Sequence, residues 1–109
     1  MDFKEYQKLA HRTSTMPIVG EKYVYPVLGL SGEAGEVANK VQKIFRDDKG
    51  VLTEARLKDV KHELGDVLWY LAEICTCMDI DFEEIAKANI EMLASRLERN
   101  KISGDGDNR

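Results

Sequence analysis

Two segments decide the fold of this chain: GLSGEAGEVANKVQKIFRD at 29–47 and ELGDVLWYLAEI at 63–74. In both, apolar residues return every three or four positions, the period of a helix and not of a strand. On a wheel turning about 100° per residue with Glu33 at zero, Ile44, Val37, Leu30, Val41, Ala34, Phe45 and Val27 fall between roughly +20° and +120°. With Glu63 at zero, Ile74, Val67, Val60, Leu71, Leu64, Leu57 and Leu68 span roughly +20° to +140°. Glu36 and Asp66 each fall about 60° to the other side of zero. Each helix therefore carries an apolar arc with a pair of acids, E-x-x-E or E-x-x-D, along one edge.

The remaining elements follow from local signals. Phe3, Tyr6, Leu9 and Ala10 predict a short amphipathic helix near 2–13. Pro17 and Gly20 mark 14–25 as a loop, and Pro26 suits the first turn of a helix running to about Phe45. RDDKG at 46–50 reads as a polar turn. Thr53 caps a long helix to about Met78, and Asp81-Phe82-Glu83-Glu84 opens a last helix to about Arg99. The expectation is an all-α, four-helix bundle-like chain. It forms a single domain over 1–100, with a polar C-terminal tail at 101–109.

Height along the helices brings the acids together. Glu36 lies about nine residues before the end of its helix and Glu63 about ten after the start of the next, roughly 15 Å from the turn in each case. A short polar turn favours antiparallel packing, which sets the two pairs side by side. A single E-x-x-E on a helix is usually a solvated face. Two pairs at one height form a cluster whose charges repel unless cations or protons intervene. Clustered oxygen ligands suit hard divalent ions, and Mg²⁺ commonly joins carboxylates to substrate phosphates. A di-iron bundle would need Glu-x-x-His on two helices, and Asp66 stands where that histidine would be. The all-carboxylate set of Glu33, Glu36, Glu63 and Asp66 favours Mg²⁺, with Mn²⁺ as substitute.

Around this edge, Lys40 and Lys43 are placed to neutralise phosphate oxygens, or else Lys40 pairs with Glu36 one turn away. Tyr70, one turn after Asp66, is placed to bond a phosphate or sugar, or else lines the core edge. Asn89 and Arg96 share a face of the last helix and are either base or phosphate contacts or ordinary surface groups. Gly29, Gly32, Gly35 and Gly65 each cost a helix about 1 kcal/mol relative to alanine, which close approach of a helix or ligand would offset. His11 and His62 are not read as ligands; His62 is expected to point away from the acids. Trp69, far from the arc that meets the neighbouring helix, is expected to be buried against another helix or subunit, or else to stack on a base.

Composition limits the function classes. The chain has 109 residues, 43% of them hydrophobic and 33% charged, with a net charge of −4. That balance fits a folded domain and lacks the basic stripe of a nucleic-acid surface. No apolar run approaches the ~20 residues that span a bilayer, and the N-terminus has no apolar signal core. Cys75 and Cys77 are two apart on one helix and cannot bridge each other, so reduced thiols in a cytoplasm are expected. A small helical chain with Leu28 and Trp69 outside the main arcs is expected to form a homodimer or homotetramer.

The two segments resemble the MazG-like nucleotide pyrophosphohydrolases, part of an all-α superfamily with the dimeric dUTPases and phosphoribosyl-ATP pyrophosphohydrolase. The signature E-x-x-E … E-x-x-D stands at Glu33, Glu36, Glu63 and Asp66, and the likeness extends from about Val27 to Arg99 through Asn89 and Arg96. It implies Mg²⁺-dependent hydrolysis of a nucleoside triphosphate between the α- and β-phosphates, with Glu33 or Glu36 handling the attacking water. It also strengthens the phosphate role of Lys43. The chain departs from the family at Met92, where relatives carry a lysine; Lys101 and Arg109 are alternative cations. Two other classes stay open: a nucleotide- or metal-binding bundle without turnover, and a structural oligomer stabilised when its acids are neutralised.

Overall fold

The computed structural model describes residues 1–99, and the expected tail at 101–109, with Lys101 and Arg109, lies outside the described residues. Four helices follow one another: α1 (Phe3–Arg12), α2 (Val24–Asp47), α3 (Glu54–Cys77) and α4 (Phe82–Glu98). The caps are those the sequence predicts. Thr53 accepts from the Arg56 N–H and Asp81 from the Glu83 N–H, and Asp2 does the same for Glu5 at the start of α1. Helix α2 starts two residues before Pro26, which occupies the first turn where its missing N–H is not needed. It also takes in Arg46 and Asp47, expected in the turn. The chain leaves the helix only where Lys49 and Gly50 adopt φ of 55° and 78° and the Gly50 N–H returns to the Ile44 carbonyl at 2.9 Å.

This turn folds α2 back along α3. Arg56 fastens it, with Nε 2.9 Å from Asp48 and a second contact to Asp59. Helix α1 packs on α3 and α4, and α4 packs on α1 and α3; among the described residues α4 does not touch α2. Ala10, Ala72, Cys75 and Phe82 form the buried core at this end, with Tyr6, Leu68 and Trp69 against it. Trp69 is partly buried against this core, and its N–H donates to Thr13 Oγ1 at 2.9 Å.

The long apolar arcs are only half used. On α2, Ile44 is buried and Val37 and Leu30 are partly buried, but Val27, Ala34, Val41 and Phe45 are exposed, Phe45 to 71%. On α3, Ile74, Val67 and Val60 are partly covered while Leu57, Leu64 and Leu71 are exposed. In both helices the exposed residues lie on the side of the arc farther from the acids. The radius of gyration, 16.9 Å, exceeds the roughly 13 Å of a compact chain this size. The all-α class is as the sequence predicts, but the four helices do not close around one core because α4 leaves the hairpin's outer face bare.

Gln7 ties three elements. Its amide donates to Thr76 Oγ1 at 3.2 Å and the Ile80 carbonyl at 2.8 Å, and its carbonyl oxygen accepts from the Phe82 N–H at 3.1 Å. Gln7→Ala is expected to lower the unfolding free energy by about 1–3 kcal/mol, read from urea denaturation, with helical circular dichroism retained before the transition.

Candidate active site

Gly29 on α2 faces Tyr70 on α3 so closely that a methyl group on Gly29 would overlap the tyrosine ring. One turn towards the connecting loop along each helix, Glu33 lies opposite Asp66, and the next turn holds Glu63. Carboxylate oxygens of Glu33, Glu63 and Asp66 all lie within 4.8 Å of one another, and the three side chains are half-buried. Glu36 is exposed and stands outside this group, although its charge acts on Glu33. The sequence places four acids together; three converge, and Glu36 occupies the rim.

The cluster is electrostatically loaded. Partial burial, then the charges of Asp66 and Glu63, hold the Glu33 carboxyl above its ordinary range. Three oxygen donors at this spacing, with one kept reluctant to ionise by its neighbours, fit a hard divalent cation. His62 does not point away as expected: its Nε2 lies 3.6 Å from Asp66 Oδ2, one helical turn along. The i,i+4 spacing was the signal for that contact.

Tyr70 borders the cluster. A cavity of about 200 Å³ is lined by Glu33, Asp66, Trp69 and Tyr70. Burial, then the neighbouring Tyr25, Glu33 and Asp66, raises the Tyr70 hydroxyl above its ordinary range, so it stays a protonated donor. Lys40 and Lys43 are half-buried on α2, and neither forms an ion pair among the described residues. Asn89 and Arg96 stand on α4, which packs on α3 but not on α2, and neither lines the cavity beside the cluster. Arg96 is buried, its Nη2 bonds Met92 Sδ at 3.2 Å, and its Nε has no partner. Met92 thus serves as an acceptor for Arg96. Gly32, Gly35 and Gly65 have open space where a side chain would stand.

Sequence reasoning missed Glu73, fully buried on α3 with one oxygen 3.2 Å from His11 Nδ1 and the other without a partner. Glu73 lies two turns after Asp66, about 20° away on the wheel, a spacing that would have flagged it. A larger cleft of about 440 Å³, lined by Met1, Phe3, Tyr6 and Leu68 among others, contains none of the cluster.

With this geometry in place, the family is clear. Residues 26–99 match the MazG nucleotide pyrophosphohydrolase domain, and the chain belongs to that family. The chain is also similar to the Gene 37 protein of Mycobacterium phage L5, 43% identical over 109 residues that cover 95% of this chain and 96% of that one. No solved structure matches.

The raised Glu33 carboxyl gives a pH signature. Native Glu33 holds its proton more tightly than the unfolded chain does. Its contribution is therefore most favourable below the ordinary carboxyl range and is lost as pH rises through the raised value. In metal-free protein, Glu33→Gln is expected to raise the melting temperature at neutral pH and to shrink the fall between acidic and neutral pH. Scanning calorimetry across that range checks both. Relief of repulsion follows whether the acids are structural or catalytic, so the added test is a divalent ion, which should stabilise the wild type more than the variant.

Proposed function

We propose that this protein hydrolyses a nucleoside triphosphate to the monophosphate and pyrophosphate, with Mg²⁺ held by Glu33, Glu36, Glu63 and Asp66 and Mn²⁺ as a substitute. The observation that carries this reading is the convergence of the Glu33, Glu63 and Asp66 oxygens within 4.8 Å across two helices. Family membership supplies the reaction class. A bound divalent ion supplies charge neutralisation and a more acidic water.

The chain's own groups do the rest. Glu63 and Asp66, from one helix, fix one side of the ion, and Glu33 from the other helix closes it. Glu36 turns inward from the rim when charge is drawn into the site. Glu33, whose carboxyl already favours a proton, and its neighbour Glu36 are the groups to orient and deprotonate the attacking water. Lys40 and Lys43 counter phosphate charge and the Tyr70 hydroxyl donates to a phosphate or sugar oxygen. Asn89 and Arg96 enter as substrate contacts only if a second copy brings its α4 to the hairpin, since α4 does not reach α2 within the chain.

The same reading makes the protein a homodimer or homotetramer. The bare arc of Val27, Val41, Phe45, Leu57, Leu64 and Leu71 is an apolar face, and Leu28, on another side of α2, is 66% exposed as well. A second hairpin laid on this face completes a bundle. Trp69, occupied within the chain, is not part of that argument. The negative net charge argues against a nucleic-acid partner. No helix among the described residues is long and apolar enough to cross a membrane, and both cysteines are free, which supports a cytoplasmic setting.

Alanine at Glu33, Glu36, Glu63 or Asp66 is expected to lower Mg²⁺-dependent turnover at least about 10²-fold with helicity retained. Phosphorus NMR should show monophosphate and pyrophosphate as primary products; diphosphate with orthophosphate would overturn the cleavage site.

In sedimentation, the wild type is expected at twice or four times the chain mass. Phe45→Glu with Leu64→Glu should shift it to monomer, and a wild type that is monomeric and active at micromolar concentration would overturn the oligomer.

A further inference from the structure

Glu73 is fully buried, yet its Oε1 has no hydrogen-bond partner. A buried polar oxygen without a partner costs roughly 1–3 kcal/mol in mutational series, more when charged, so a native protein keeps one for a reason. Its Oε2 is 3.2 Å from His11 Nδ1. Glu73 also lines a cavity of about 300 Å³. One wall is His11 from α1, and Met16, Pro17 and Ile18 from the loop between α1 and α2 form another, with Lys22 beside them. With Ser14 and Cys77 also on its wall, the cavity sets apolar side chains beside a few polar ones and a carboxylate from α3, the combination that holds a flat heteroaromatic group and reads its edge.

Its position relative to the acidic cluster fixes what that group is. Glu73 follows Asp66 by two turns on the same stripe of α3, about 10 Å along the axis. That is the reach from the α-phosphorus of a nucleotide to the far edge of its base. Between them Trp69 and Tyr70 line the smaller cavity beside Glu33 and Asp66. The two cavities share no lining residue, and a nucleotide with its phosphates at the cluster would span from one to the other, its sugar past Tyr70 and its base towards Glu73.

We propose that Glu73 reads the base and selects guanine. This inference rests on the reading of the acidic cluster as a triphosphate site. The two carboxylate oxygens offer about four lone-pair directions, so the His11 contact leaves room for a ligand. Guanine alone among the common bases presents two adjacent donors, its ring N1–H and exocyclic N2–H₂. Adenine and cytosine set one amino donor beside an acceptor ring nitrogen, which the second carboxylate oxygen repels. Uracil and thymine set one N–H between two carbonyl oxygens. Selection arises as much from these unfavourable pairs as from the good one.

The test uses the full-length wild type and Glu73→Gln. First, kcat/KM is measured with Mg²⁺ for the four common ribonucleoside triphosphates and their deoxy forms. Second, calorimetry measures binding of guanosine, inosine and adenosine monophosphates in metal-free buffer. The wild type is expected to favour guanine at least about tenfold, and to bind inosine monophosphate, which lacks the N2 amine, about tenfold more weakly than guanosine monophosphate. Glu73→Gln should erase most of the preference, with kcat/KM for the guanine triphosphates falling most and the order of the bases changing. A role confined to tying α1 to α3 would lower stability and all substrates alike, without reordering the bases.

A wild type that ranks another base first, or binds inosine and guanosine monophosphates equally, overturns the inference even if the variant fails to fold. A folded variant with an unchanged ranking does the same. If no triphosphate is cleaved but guanosine monophosphate still binds selectively through Glu73, hydrolysis is overturned and base recognition stands.

Discussion

The site depends on the antiparallel register of α2 against α3. Gly29 lets the two backbones approach where Tyr70 lies, and a side chain there would push the helices apart or turn the ring. Once those positions face each other, helical geometry sets Glu33 opposite Asp66 and brings Glu63 within reach. The burial of Ile44, Val37 and Leu30 on one helix and Ile74, Val67 and Val60 on the other works against the repulsion among these acids. The hairpin thus holds together charges that would separate in its absence, and the strain appears in the raised Glu33 carboxyl.

The supports around this register serve it from both ends. The turn at 48–53 is closed by left-handed Lys49 and Gly50 and by the Arg56–Asp48 pair, which fixes where the two helices begin to run side by side. At the other end α1 lies against α3 through Ala10, Trp69 and Thr13, and Gln7 joins it to the α3–α4 junction. The loop after α1 is thereby held over the stripe of α3 that carries Asp66, Tyr70 and Glu73. One helix face therefore carries two of the clustered acids, a tyrosine hydroxyl and a buried carboxylate in succession, each about one turn from the next.

Stability and function pull in opposite directions across the same hairpin. The acids raise the free energy of the metal-free chain, and the apolar arc beyond them is half exposed. Under the proposed function both costs are offset by binding: a cation for the first and a second apolar surface for the second. That places much of the folded state's support outside the single chain, as expected of a 109-residue helical protein with a small core.

The sequence by itself determined the helices, their caps and the pairing of the acidic motifs. Periodicity, capping side chains and the height of residues above a turn are local or one-dimensional quantities, and they survive into any packing of these helices. It also carried the family, because the two acid pairs with their intervening apolar spacing form a pattern in one dimension. Packing in three dimensions sets which three acids converge, that Glu36 stays on the rim, that His62 reaches Asp66, and that α4, with Asn89 and Arg96, packs on α3 but not on α2. Those outcomes turn on a few tens of degrees of helix rotation and on which helix packs against which. The buried Glu73 was the clearest gap. Its spacing from Asp66 was visible in the sequence, but its burial and its unpartnered oxygen arise from α1 and the following loop closing over it, a contact between positions about sixty residues apart.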